Sequence, residues 1–327
     1  MIYASLILIT LNLLLFFFHK YLSKINYPTD RPNQRKIHSG NVLMSGGLFF
    51  FVNLIFFLFI KNFLDVDLIK FSESNNENLF FIIAIFFFLL GFIDDKINLN
   101  ANLKLLLIII ILTCFLNLNK NFVIEILRFS FTDKTLHLGN YSLIFTVLCL
   151  ALFTNAFNMY DGINLQSGSY SLIFFIFLIL NNYNFYFTIF FIFSLILFLI
   201  KNFYTKSFLG DSGCYILSFI IGIFIIDFYQ IEKIYSDQIF LLMMIPGVDM
   251  LRLFVTRIIS KKNPFVGDKN HLHHILLNSY GQNKVFQILF AIKLAIFVAV
   301  FFNVNSILIF FVIISIYIFF LQRNINL

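Results

Sequence analysis

The chain has 327 residues, of which 60% are apolar and 12% charged, with a net charge of +7 and a mean hydropathy of +0.92. A soluble domain of this composition would lack the polar surface needed to cover its core, so the chain reads as an all-α polytopic integral membrane protein. Fifty Phe and no Trp reflect a codon-level bias towards AT-rich DNA and carry no functional weight.

Apolar runs of about bilayer length fall near 2–18, 42–60, 79–93, 103–118, 141–157, 168–180, 183–200, 213–228, 238–254, 285–302 and 306–321, which predicts eleven spanning helices. The first run has no Lys or Arg before Lys20, so it reads as a retained helix rather than a cleaved secretory signal. Cys114, Cys149 and Cys214 lie in apolar runs without close spacing, which argues against a disulfide framework or a cysteine metal site and predicts small buried residues. An odd helix count places the termini on opposite sides. The face holding loops 19–41, 94–102, 155–167, 201–212 and 252–284 together with the C-terminus carries sixteen of the 23 Lys and Arg, counting Lys104 at a helix mouth, against six on the other face, with Lys293 inside a helix belonging to neither. By the positive-inside rule the richer face is cytoplasmic and the N-terminus lies outside.

The acidic residues point to the same face. Outer loops hold scattered Asp and Glu, whereas Asp30, Asp94, Asp95, Asp161, Asp211, Asp249 and Asp268 sit on the cytoplasmic side, most at helix mouths or in segments rich in Asn, Gly, His and Arg. A carboxylate at a membrane boundary is costly unless paired, hydrated or bound to a cation.

In chain order, the first loop bunches Arg31, Arg35, Lys36 and His38 ahead of Gly46-Gly47. The cations suit either a lipid anchor or phosphate oxygens, and the glycines suit close helix packing. Asp94 and Asp95 follow helix three. Adjacent helical residues diverge by about 100°, so two separate roles are expected of them. After helix five, Asn155, Asn158, Asp161 and Asn164 recur every three residues and are expected to form one polar stripe at a helix end, before Gly162 lets the backbone turn. In "SFLGDSGCYIL", Gly210 and Gly213 flank Asp211 at a helix start, where amide groups favour an anion. The last loop collects Asp249, Arg252, Arg257, Lys261, Lys262, Asp268, His271, His273 and His274. Its H-x-H-H run supplies imidazoles for zinc, but the surrounding Arg and Lys repel a cation and a phosphate-binding surface fits better. Together these residues describe a site with carboxylates for a hard divalent cation, basic groups for phosphates and amides for a polar head group.

The order D-x-P-N-x-R-K-x-H, G-x-x-D-D, N-A-F-N-x-x-D-G, F-L-G-D-x-G and P-F-x-x-D-x-x-H-x-H-H over residues 30–274 resembles the polyprenyl-phosphate N-acetylhexosamine-1-phosphate transferases, bacterial enzymes related to phospho-MurNAc-pentapeptide transferase. The resemblance implies a single membrane-embedded domain in the bacterial inner membrane. It implies transfer of a sugar-1-phosphate from a UDP-N-acetylhexosamine, usually UDP-GlcNAc, to undecaprenyl phosphate with release of UMP, starting a lipid-linked glycan such as O-antigen. Mg²⁺, or Mn²⁺ in its place, is the implied cofactor. Membrane lipid surrounds the protein, nucleic acid is not among its partners, and dimeric relatives imply a homodimer.

Carried over by residue, Asp211 resembles the principal metal ligand, with Asp94 and Asp95 serving the acceptor phosphate and the metal region. Phe208 resembles the aromatic that stacks on uracil, with Asn158, Asp161 and Asn164 around it. Arg35, Lys36, His38, Arg257, Asp268, His271, His273 and His274 are expected near phosphates and sugar. The family's D-G-x-D-G-L reads D-G-I-N-L-Q here, with Asn164 and Leu165 in place of an acid and a glycine; Leu43 replaces a common proline, and Cys214 a small residue. These departures indicate a divergent subgroup with a different donor, or an inactive paralogue.

Two rival classes fit less well. An intramembrane aspartyl protease shares Y-D and G-D echoes, but Phe208 fills the first glycine of its G-x-G-D motif. A carrier for an anionic solute places polar groups near the midplane with internal repeats, whereas here they cluster on one face.

Overall fold

The structure, a computed structural model, describes residues 2–32, 40–64, 69–71, 77–261 and 270–325. Arg35, Lys36, His38 and Asp268 lie outside the described residues. The helices are α1 (Ile2–Phe18), α2 (Gly46–Leu64), α3 (Glu77–Ile97), α4 (Ala101–Leu118), α5 (Ser142–Tyr160), α6 (Gln166–Leu180), α7 (Phe185–Phe203), α8 (Gly210–Gln230), α9 (Ser236–Ile259), α10 (Leu272–Tyr280), α11 (Gln282–Phe301) and α12 (Ser306–Ile325). Every apolar run of the sequence falls within or overlaps one of them, and α10 is an added nine-residue helix carved from the histidine loop. Among the described residues, eight helices are long and apolar enough to cross a membrane. Large apolar side chains such as Ile55, Phe59, Phe86 and Leu106 face outward, as suits contact with lipid.

Two short antiparallel ribbons complete the chain. β1 (Thr29–Asp30) pairs with β2 (Val42–Leu43), with Thr29 opposite Leu43. At the other end of the bundle β3 (Ile126–Phe129) and β4 (Thr132–His137) form a hairpin. Arg128 Nη1 lies 2.6 Å from Glu232 Oε1, and the Ser130 amide donates to Asp237 Oδ1 at 2.8 Å.

The core is α8. It is apolar on all sides and its apolar window is entirely buried, as expected of a helix without a polar face; α2, α3 and α5 pack against it. Glycines set how closely they approach. A Cβ added at Gly47 would lie 2.7 Å from the Gly213 nitrogen, and one at Gly91 would fall on the backbone of Asp211 and Ser212. The Gly46-Gly47 pair thus serves helix contact.

Further towards the opposite side, α1, α2 and α7 are tied by a polar clasp. Asn12 Nδ2 donates to Asn53 Oδ1 at 3.0 Å, Asn53 Nδ2 returns a bond to Asn12 Oδ1 at 3.1 Å, and Ser194 Oγ donates to Asn12 Oδ1 at 3.0 Å. All three residues are buried, where side-chain hydrogen bonds substitute for the missing hydrophobic drive between membrane helices. The cysteines depart from the expectation of burial: Cys114 and Cys149 are exposed on the bundle surface, and Cys214 is buried.

Candidate active site

Because α3 continues through Ile97, Asp94 and Asp95 diverge around its axis. Asp94 is 1% exposed. Its Oδ2 lies 2.5 Å from Lys104 Nζ and accepts from the Tyr215 hydroxyl at 3.1 Å, while Oδ1 accepts the Leu99 amide at 2.9 Å. Lys104 stands in the first turn of α4, whose start is fixed by Asn100 accepting the Asn102 amide. From there it also reaches Asp211 Oδ2 at 3.4 Å, so one ammonium joins carboxylates from α3 and α8.

Asp95 turns to the start of α8. Its Oδ1 accepts the Asp211 amide at 2.7 Å and its Oδ2 the Ser212 amide at 3.1 Å. The first amides of a helix have no partner within it, and the positive end of the dipole favours a carboxylate. The anion expected at this helix start is therefore Asp95 itself. Gly210 makes the approach feasible: its φ is +72°, and a Cβ there would lie 2.7 Å from Asp95 Oδ2.

With Asp94 and Asp95 so engaged, Asp211 is the carboxylate of the three that faces open space, its side chain 25% exposed. It borders a cavity of about 420 Å³ that also receives Asp30 from β1, Asn158, Asp161 and Asn164 from the end of α5 and the turn beyond it, Phe208, and His274 from α10. Segments scattered from Asp30 to His274 thus share one space. Phe208 is held as an extension of β2: its amide donates to the Leu43 carbonyl at 2.8 Å, and its own carbonyl accepts the Gly46 amide at 2.9 Å.

The polar stripe after helix five is not continuous. α5 ends at Tyr160 and Asp161 caps it, so Asn158 and Asn164 reach the cavity from a helix end and a turn respectively. Asn155 instead points its amide at the sulfurs of Met159 and Met250, 3.8 and 3.6 Å away. Asn164 Nδ2 donates to Thr205 Oγ1 at 2.9 Å. Leu165 adopts a left-handed φ of 69°, with its amide held by Asn202 Oδ1. Burial raises the Asp161 carboxyl to about 6, against the opposing pull of Ser167 and Cys214.

The histidines form a stack beside this turn. His271 and His273 rings lie 5.3 Å apart at 15°, and His273 fills the space a Cβ would need at Gly162. Burial, then the charges of His274 and His271, push His273 down to about 3. His271 Nδ1 lies 2.9 Å from Asp249 Oδ2. Asp249 Oδ1 accepts from Arg252 at 2.8 Å and from the Tyr317 hydroxyl at 2.8 Å. Asp249, His271 and His273 present ligand atoms within 4.8 Å of one another, but a guanidinium on the same carboxylate opposes a cation there. This grouping is a hydrogen-bonded hub that holds α9, α10 and α12 together. Arg257 is buried in the last turn of α9 and does not line the cavity.

The sequence profile of the family described as glycosyl transferase family 4 matches residues 78–229, the stretch that carries Asp94, Asp95, Asn158, Asp161 and Asp211. Over that stretch the chain is similar to glycosyl transferase family 4. Similar proteins include the undecaprenyl-phosphate alpha-N-acetylglucosaminyl 1-phosphate transferase of Thermotoga maritima, 28% identical over 81% of this chain and 78% of the relative. That of Yersinia pestis is 23% identical over 76% of this chain and 69% of its own. The probable undecaprenyl-phosphate N-acetylglucosaminyl 1-phosphate transferase of Bacillus subtilis is 24% identical over 76% and 69% respectively.

The structure adds two residues that the sequence did not mark for the site: Lys104, which pairs with Asp94 and Asp211, and Tyr317, which joins the Asp249 hub. A lysine in the first turn of a membrane helix was the available signal for Lys104; Tyr317 gave none, standing 68 residues from Asp249. The departure at Leu165 also gains a physical meaning. The resemblance puts a glycine where this chain holds a leucine at positive φ, a conformation glycine adopts at little cost.

Proposed function

We propose that the protein transfers an N-acetylhexosamine-1-phosphate, GlcNAc-1-phosphate foremost, from a UDP-sugar to undecaprenyl phosphate and releases UMP. The observation that carries this reading is the cavity in which Phe208, Asn158, Asp161, Asp211 and His274 meet, backed by the ion-paired Asp94 and Lys104. Relatives bearing that activity in their names support it.

On this reading an oxygen of the acceptor phosphate attacks the sugar-bearing phosphorus. The bond from that phosphorus to the oxygen bridging it to the uridylyl phosphate breaks, and UMP leaves with that oxygen. A phosphate monoester has a second pKa of about 6, so the acceptor is already largely dianionic and needs no strong base. Catalysis then rests on positioning and charge. Phe208 offers a face for the uracil ring, and Asn158 and Asn164 offer amides to polar groups of the nucleotide or sugar. Lys104 offsets the charge gathered where Asp94 and Asp211 meet the phosphates.

The donor set suits Mg²⁺, which takes one or two carboxylates together with substrate phosphates. Asp211 would hold it, since both oxygens of Asp95 accept amides of α8 and Asp94 is paired with Lys104. When bound, the cation supplies neutralisation of the pyrophosphate charge. The charge bias between loops supports eleven spans, an outer N-terminus and a site on the cytoplasmic side of a bacterial inner membrane.

The test is UMP release by purified protein with Mg²⁺, undecaprenyl phosphate and a panel of UDP-N-acetylhexosamines. Acceptor-dependent release that disappears in Asp211→Asn supports the reading. Folded protein that binds a UDP-sugar yet yields no UMP with any donor refutes it.

A further inference from the structure

Beside the cavity, at the same end of the bundle, α1 and α7 carry a cationic patch that the proposed reaction does not use. Lys20 and Lys24 follow α1 in the 3₁₀ segment His19–Ile25, Lys201 lies in the last turn of α7, and Lys206 follows it. The two segments are joined by a hydrogen bond between His19 Nε2 and the Lys206 carbonyl at 3.2 Å. The charges of Lys206 and Lys20 both act on Lys201. Among the described residues, no carboxylate forms an ion pair with any of these four lysines. Like charges fixed together without a counter-ion raise the free energy of the bare protein, and an anion lowers it.

The ammonium groups rest on rings. Lys201 Nζ is 4.0 Å from the centroid of Phe16, Lys24 Nζ 4.9 Å and Lys20 Nζ 5.3 Å from Tyr21, and Lys206 Nζ 5.7 Å from Tyr204. Apolar side chains border them on the outward surface: Phe18, Ile25 and Phe203 are more than half exposed. Cations edged by exposed rings and apolar side chains, at the end of two apolar helices, match a molecule with a phosphate head and hydrocarbon tails.

We propose that this patch is a binding site for an anionic phospholipid, with Lys20, Lys24, Lys201 and Lys206 taking the phosphodiester headgroup and Phe18, Ile25 and Phe203 meeting the acyl chains. The site touches the cavity through the turn after α7, since Thr205 lines that cavity and Lys206 is its neighbour. A bound lipid braces this turn from the outer side.

The experiment compares wild type with Lys20→Gln/Lys24→Gln/Lys201→Gln/Lys206→Gln in nanodiscs of phosphatidylcholine containing a minority of phosphatidylglycerol. Native mass spectrometry after release counts the lipids retained, and thermal melting is followed with phosphatidylglycerol, phosphatidylcholine or inorganic phosphate. Wild type should retain phosphatidylglycerol in preference to phosphatidylcholine and melt higher only with the former. Retention should fall roughly fivefold per lysine removed, from the usual contribution of a basic side chain at an anionic surface. Equal retention by both proteins overturns the proposal, as does stabilisation by inorganic phosphate alone. Should the quadruple variant fail to fold, Lys24→Gln/Lys206→Gln at two exposed positions decides the same question. The readout is lipid retention and not UMP release, so a failure here is distinguishable from a failure of the transferase reading.

Discussion

Replacing Asp95 with Asn tests whether this carboxylate acts on substrate or on helix α8. The carboxylate accepts two amides, from Asp211 at 2.7 Å and Ser212 at 3.1 Å. Hydrogen bonds to a charged group are worth roughly 1.5–3 kcal/mol each, against about 1 kcal/mol for a neutral one. Asn keeps one acceptor, loses the charge that faces the helix dipole and turns an NH₂ towards an amide N–H. The expected loss of stability is about 2–4 kcal/mol, or a melting midpoint lower by about 3–6 °C for a chain of this length. Asp211→Asn removes a partly exposed carboxylate whose described ion pair is the 3.4 Å contact with Lys104, so its midpoint should move far less while turnover vanishes. Melting in detergent and UMP release, measured on the same preparations, separate the two effects. Gly210→Ala should behave like Asp95→Asn, because its Cβ enters the space of Asp95 Oδ2. If Asp95→Asn melts as wild type yet is inactive, Asp95 acts directly on metal or substrate and the assignment to α8 is wrong.

Lys104→Met leaves buried Asp94 without its ionic partner and should cost about 3–5 kcal/mol, seen as a lower melting midpoint; adding Asp94→Asn should recover much of that loss but not turnover. Leu165→Gly relieves a left-handed leucine and should raise stability by about 0.5–1 kcal/mol, whereas the β-branched Leu165→Val should lower it by about 1–2 kcal/mol. His273 is held at about 3 against an ordinary 6.5, so between these values the unfolded chain binds the extra proton. Its contribution to stability is complete above pH 6.5 and is lost as pH falls towards 3; His273→Gln should flatten acid unfolding across that window.

The helices were legible because a bilayer demands long apolar runs, and the 100° step along a helix was enough to anticipate separate roles for Asp94 and Asp95. The cavity residues Asp30, Asn158, Asp161, Asn164, Asp211 and His274 were marked by polarity in an apolar chain, whereas Phe208, one Phe among fifty, was marked only by the family resemblance. Their partners were not. Lys104 meets Asp94 across ten residues but Asp211 across 107, and Tyr317 reaches Asp249 from the last helix; spacing along the chain does not say which helix ends become neighbours. The stripe from Asn155 to Asn164 failed for a local reason, since the helix stops at Tyr160 and a change of backbone direction takes the later residues out of its periodicity.

The enclosure of α8 also bears on the order in which the protein is made. A helix with no lipid-facing side must leave the insertion machinery and find a slot among helices synthesised before it. Asp95 waits at the mouth of that slot, and until α8 arrives its charge has no helix start to face. A nascent chain halted after α7 would therefore hold Asp94 and Lys104 on neighbouring helices, as in the finished protein, but lack both the Asp211 carboxylate and the amides that occupy Asp95. The carboxylate cluster of Asp94, Asp95 and Asp211 is therefore completed only when the eighth helix is in place, and the cavity only when α10 brings His274 to it.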